Sequence, residues 1–182
     1  MTGTDARWLL KWAATDNSEA LRAASLTDVD CTPAATVAVQ RGNRAALEVL
    51  FDRGAVPPDV LSELASVAVI LGHHGVLEAF AAHADEVFSS PDNEGKTLAF
   101  LAASAGDLTT LKIIATVAPV TLGLPIRGGG TPVDVAWHRG HDVVVAWFGS
   151  MGIPDPTERW LSCCDGEPCE PKPVRGGDSV VS

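Results

Sequence analysis

Three thiols, Cys163, Cys164 and Cys169, lie within seven residues near the C-terminal end of this 182-residue chain. As thiolates they could bind Zn²⁺ or Cu(I) if a fourth ligand joined them. No Cys-x-x-Cys pair is present and no histidine lies beyond residue 152, so free thiols open to disulfide exchange or palmitoylation are the simpler expectation. Two histidine groups, His73-His74 and His138-x-x-His141, have helical or near-helical spacing, which invites a metal reading. Gly95-Lys96-Thr97 spells the end of a phosphate-binding loop, but the glycine needed five residues before Gly95 is Ser90. Gly128-Gly129-Gly130 is not followed by Gly-Lys-Ser/Thr. Ser90, Ser104 and Ser150 lack a Gly-x-Ser-x-Gly elbow, and the carboxylates are scattered without a partner pattern. No catalytic residue, metal ligand or cofactor is therefore assigned, and a non-enzyme is expected.

The elements that would position these groups are set out by a period. Gly42, Gly72, Gly106 and Gly140 fall at intervals of 30, 34 and 34 residues, and each opens a short polar step between two apolar runs. Self-similarity in this range marks stacked repeats, in which no unit buries its apolar face without its neighbours. The last unit shows how one is built. Thr131, Pro132 and Asp134 supply an N-cap, a proline at the first helical position and an acid at the third, which together start a helix. Gly140 stops that helix. The run Val143 to Phe148 is too short to span a membrane and suits a buried helix, which Gly152 ends. Each unit reads as helix, tight turn, helix and loop. The stripes at Val135-Ala136 and Leu101-Ala102 need a neighbouring helix pair to cover them.

Residue by residue, these units resemble the ankyrin-repeat family. Thr131, Pro132, Ala136, Gly140 and His141 match the T-P-L-H-x-A and Gly-His pattern, with Val133 and Asp134 in place of its Leu and His. The unit from Asp92-Asn93-Glu94-Gly95-Lys96-Thr97 through Ala102, Ala103, Gly106 and Leu111 also matches, with Leu98 for the Pro and Phe100 for the His. Ala68, Gly72, His73, Val76, Leu77 and Phe80 hold the register, yet Glu63-Leu64 stand where Thr-Pro is expected, and the 30-residue interval implies a shortened finger loop. Thr32-Pro33 lies one position early relative to Gly42, so that helix start carries an extra residue. Trp8 to Leu26 resembles a degenerate first unit. The resemblance, spanning residues 8 to 152, implies an all-α, ankyrin-like helix-turn-helix repeat solenoid with short finger loops. It implies that His73 and His141 are structural, their imidazoles bonding backbone groups of the turn, and that both glycine clusters are finger turns.

The expected domains are a degenerate N-terminal repeat or cap over 1–30, ankyrin-like repeats over 31–152, a short capping helix over 153–162 and a disordered tail over 163–182. Asp155, Pro156 and Glu158 repeat the capping logic and would carry Trp160 and Leu161 over the open end of the last unit. Proline, glycine and charge dominate after Cys164.

By the same resemblance, the chain would hold a partner protein on a concave face built from finger loops and the exposed positions of each first helix. Carried onto this sequence, the candidates are Gln40, Arg41, Ile70, Leu71, Ser104, His138 and Arg139 beside the turn glycines, and Asn93, Glu94, Lys96 and Arg127 in the fingers. Ile70 with Leu71 is either an apolar hot spot on that face or a pair packed inward by the shortened unit. A thiol- or metal-dependent function centred on the C-terminal cysteines is the alternative to an interaction scaffold.

Composition bounds the partner. The formal net charge of −10 and pI near 4.8 argue against nucleic acid and anionic membrane and leave a basic peptide as the better expectation. An apolar content of 46% and a mean hydropathy of +0.17 fit repeats that share one core. Met1 to Asp5 carries no positive region and Lys11 breaks the apolar stretch after Trp8, so no signal peptide is read. Glycine at position 3 and the C-terminal Ser-Val-Val-Ser do not form lipidation motifs. With only Cys31 outside the tail, a reducing, cytoplasmic or otherwise intracellular setting and a monomer are expected.

Overall fold

The computed structural model describes residues 6–15, 17–24, 30–92, 95–126, 130–154 and 156. Among them the secondary structure is helical, with no strand. Ten α-helices run as five hairpins: α1 (Ala6–Ala14) with α2 (Ser18–Ala23), α3 (Thr32–Arg41) with α4 (Arg44–Asp52), α5 (Pro58–Leu71) with α6 (His74–His83), α7 (Leu98–Ala105) with α8 (Leu108–Val117), and α9 (Pro132–His138) with α10 (Asp142–Ser150). The expected capping helix over 153–162 and the cysteines at 163, 164 and 169 fall almost wholly outside the described residues.

Local chemistry explains most of the helix ends. Side chains of Asn17, Asn43, Thr97, Asp107 and Thr131 each accept a hydrogen bond from the backbone amide three residues on, at 3.1 to 3.4 Å, which satisfies a donor the helix leaves unpaired. Thr131 and Asp134 form the full reciprocal box, the Thr131 amide donating to Asp134 Oδ2 at 2.7 Å. Gly95-Lys96-Thr97 is thereby accounted for structurally: Gly95 turns the chain at φ 79°, and Thr97 caps α7. The start of α3 is extended by two residues rather than the one expected: Cys31 takes the cap position and Thr32 is already helical, ten residues before Gly42, whereas α7 begins eight before Gly106.

The hairpins stack in two rows. Each of α1, α3, α5 and α7 packs on the next first helix, and α2, α4 and α6 do the same along the second row. Ala38, Ala68, Ala102 and Ala136, four residues before the turn glycines, are fully buried, and their small side chains let the first helices approach closely. Leu47, Leu50, Leu77, Phe80, Leu111, Ile114 and Phe148 fill the space between the rows as one continuous core. Polar links tie the second row: Arg44 pairs with Glu48 at 2.7 Å and with Glu78 on α6, and Arg53 donates to the Ala24 and Arg22 carbonyls.

The 30-residue interval has a specific structural form. In place of a long finger, only residues 53–57 join α4 to α5, and α5 begins at Pro58 and runs 14 residues, well before the Glu63-Leu64 position where a helix start was expected. The longer connections after α6 and α8 hold 3-10 turns at Asp85–Phe88 and Pro119–Gly123, which bury Phe88 and Leu122 against the core.

Candidate functional site

Side-by-side packing of α3, α5, α7 and α9 lines up their C-terminal ends, and the residues before each turn glycine form one edge. On that edge Gln40, Arg41, Ile70, Leu71, His138 and Arg139 are exposed and Ser104 is half-buried. Ile70 is 69% and Leu71 48% accessible, so the pair faces solvent and the inward-packed alternative does not hold. Large apolar side chains stand where the α3 and α9 ends carry Gln40-Arg41 and His138-Arg139. Leaving two of them in water forgoes burial that is worth about 1.5–3 kcal/mol for each such side chain.

The residue after each glycine decides how the edge is closed. His73 lies across the preceding hairpin, its Nε2–H donating to the Gln40 carbonyl at 3.2 Å, and His141 does the same to Ser104 at 3.1 Å. Both imidazoles therefore bond the helix end of the unit before, not their own turn. Each also lies over a turn glycine: a Cβ on Gly42 would stand 2.9 Å from His73 Nδ1, and one on Gly106 2.7 Å from His141 Nδ1. At the α5 edge the series breaks. The residue after Gly106 is Asp107, whose carboxylate has no proton to give the Ile70 carbonyl, the counterpart of those of Gln40 and Ser104. Among the described residues nothing lies within 4 Å of where a Gly72 Cβ would be. The edge at Ile70, Leu71 and Gly72 is therefore apolar and uncovered.

Asp107 bonds sideways instead. It receives the Thr110 hydroxyl at 2.7 Å and lies 2.8 Å from His74 Nε2, joining α6 to α8. Burial pushes the Asp107 carboxyl up, but hydrogen bonds from the Thr110 hydroxyl and amide and from His74, together with the charge of His74, outweigh it and hold the group below the usual range. Sequence reasoning left His74 dispersed. The signal that could have found it was the Gly-Asp at 106–107 in place of Gly-His, one unit away from His74. His83 stacks on Phe51 at 5.5 Å, and His138 meets the edge of Trp137 at 5.0 Å.

The finger candidates divide. Lys96 is half-buried, its amide donating to Asp92 Oδ1 at 2.8 Å within the turn that brings Asp92 and Lys96 together. Asn93, Glu94 and Arg127 lie outside the described residues. Among the described residues, no group of three or more His, Cys, Asp or Glu side chains converges as a metal site would, and no helix is long and apolar enough to cross a membrane. Cys31 is buried at the start of α3, where burial and the neighbouring Asp30 raise its thiol pKa and disfavour the thiolate. The arrangement is an exposed edge whose centre, Ile70 with Leu71, is apolar. Compared with known proteins, the chain matches no family model and no curated protein.

Proposed function

We propose that this chain is an ankyrin-like solenoid that acts as a non-enzymatic interaction scaffold, holding a partner protein along the edge formed by the ends of α3, α5, α7 and α9. One observation carries the reading: Ile70 and Leu71 are exposed on an inner hairpin whose turn glycine, unlike those of the hairpins on either side, has no imidazole over it. Exposed apolar side chains surrounded by polar ones mark the centre of a contact, where burial contributes most and the rim excludes water. Arg41 and Gln40 on one side and Ser104 on the other would form that rim. The partner is proposed to be a protein segment with apolar side chains flanked by basic ones, because the chain carries a net charge of −10. An intracellular setting goes with this proposal.

The test is a double variant, Ile70→Asp with Leu71→Asp, compared with wild type in affinity capture followed by mass spectrometry. Unchanged helical circular dichroism together with loss of a protein that wild type retains supports the reading. A partner retained equally by both forms refutes it.

A further inference from the structure

The five hairpins share a register that identifies the two faces by which they stack. Counting back from the helix-capping residues Asn17, Asn43, Asp107 and His141, and from His73, which holds the same position, the residue four before is Ala13, Val39, Ala103, Trp137 and Val69 respectively. The first three and Val69 are at most 1% accessible, whereas Trp137 is 39%. This position faces the following hairpin, and among the described residues none follows α9 and its partner α10. The residue nine before the cap behaves in the opposite sense. Ala34, Leu64 and Leu98 are at most 4% accessible, but Trp8 in the first hairpin is 49%. Trp12, at the position of the fully buried alanines, stacks on Trp8 at 6.3 Å, with Lys11 Nζ 5.1 Å from the Trp8 ring centre. The stack therefore presents an indole at each open end, at the two positions that neighbouring hairpins cover everywhere else.

We propose that these ends pair head to tail between copies of this chain, Trp8 and Trp12 of one copy covering Trp137 of the next, in place of the monomer that the sequence leads one to expect. Tryptophan supplies large apolar area at little cost in conformational entropy, which is why it recurs at the centres of interfaces. Charge selects the orientation. Among the described residues the first hairpin carries Arg7, Lys11 and Arg22 against Glu19, while the last carries Asp134 and Asp142 against Arg139. A basic first end and an acidic last end attract, whereas two ends of the same kind do not. A contact of this kind is heterologous, so every assembly keeps one free end of each sort and association proceeds beyond the dimer as concentration rises.

Sedimentation velocity on the full chain between about 5 and about 500 µM, the range that a small and weak interface requires, tests it. The weight-average sedimentation coefficient of wild type should rise with concentration through the dimer. Trp8→Glu and Trp137→Glu should each abolish the rise. An equimolar mixture of the two should restore a dimer and nothing larger, because the mixture holds one intact end of each kind. Wild type alone gives a second readout: on dilution the indole N–H resonances of Trp8 and Trp137 shift, while the amide of Ala68 in mid-stack does not. A monomer at every concentration, resonances that do not move, or association surviving in both single variants overturns the proposal. If wild type is monomeric and Trp160→Ser associates, the C-terminal residues of the same chain occupy the α9 end instead.

Discussion

Two matched pairs of glycines allow the imidazole contacts to be weighed in isolation. Gly42 and Gly72 share φ 69°, and Gly106 and Gly140 share φ 75°, so alanine at any of them meets the same left-handed backbone cost, roughly 1–2 kcal/mol. Within each pair only one member is covered. A Cβ at Gly42 or Gly106 would stand 2.9 or 2.7 Å from an imidazole nitrogen, whereas Gly72 and Gly140 open to space. The ring must move, and its hydrogen bond to the Gln40 or Ser104 carbonyl, worth about 0.5–1.5 kcal/mol, weakens or breaks. Gly42→Ala should therefore cost about 1 kcal/mol more than Gly72→Ala, and Gly106→Ala about 1 kcal/mol more than Gly140→Ala. Urea unfolding followed by circular dichroism measures this as a larger fall in midpoint at unchanged slope. In a His73→Ala background the obstruction is gone, so Gly42→Ala should cost no more than Gly72→Ala, a coupling that a double-mutant cycle reads directly. Equal costs within both pairs, or strict additivity with His73→Ala, would refute the idea that these imidazoles clamp one hairpin to the next.

Other perturbations separate the remaining terms. Asp107 has a depressed pKa in the folded chain, so its contribution is complete above its unfolded value, about 3.9, and is lost as pH falls through the lower folded value. Asp107→Asn should consequently lower stability at neutral pH and flatten the acid limb of a pH–stability curve below about pH 4. Ala102→Leu forces three further carbons into a fully buried contact between first helices and should destabilise by about 1–3 kcal/mol. Ile70→Asp with Leu71→Asp, by contrast, changes exposed side chains and should alter the stability measured by urea unfolding by no more than about 0.5 kcal/mol per site.

Much of the local structure was legible in the chain because it depends on residues three or four apart. Thr131, Pro132 and Asp134 start α9, and Gly42, Gly72, Gly106 and Gly140 end first helices or the turns after them, as their spacing predicts. The alternation of apolar runs sufficed to predict the paired helices among the described residues, but not the 3-10 turns at Asp85–Phe88 and Pro119–Gly123. Less legible was the short step between Gly42 and Gly72. A shortened loop was expected, but the lengthening of α5 back to Pro58 was not, because Pro57-Pro58 followed by Asp59 starts a helix outside the repeat register.

Questions about the surface turn on contacts between residues more than thirty positions apart. His73 with Gln40, His74 with Asp107 and His141 with Ser104 are separated by 33, 33 and 37 residues, and each spans two hairpins. Sequence by itself determined the period, the starts of α7 and α9 and the conformation required of the turn glycines, since propensity and capping act within a single turn of chain. Only the tertiary structure decided which glycines lie under an imidazole, that Ile70 and Leu71 face water, and that Trp8 and Trp137 are exposed on the first and last described hairpins. Those outcomes depend on how neighbouring hairpins register against one another, and a side chain is buried or exposed there by what the next hairpin places in front of it.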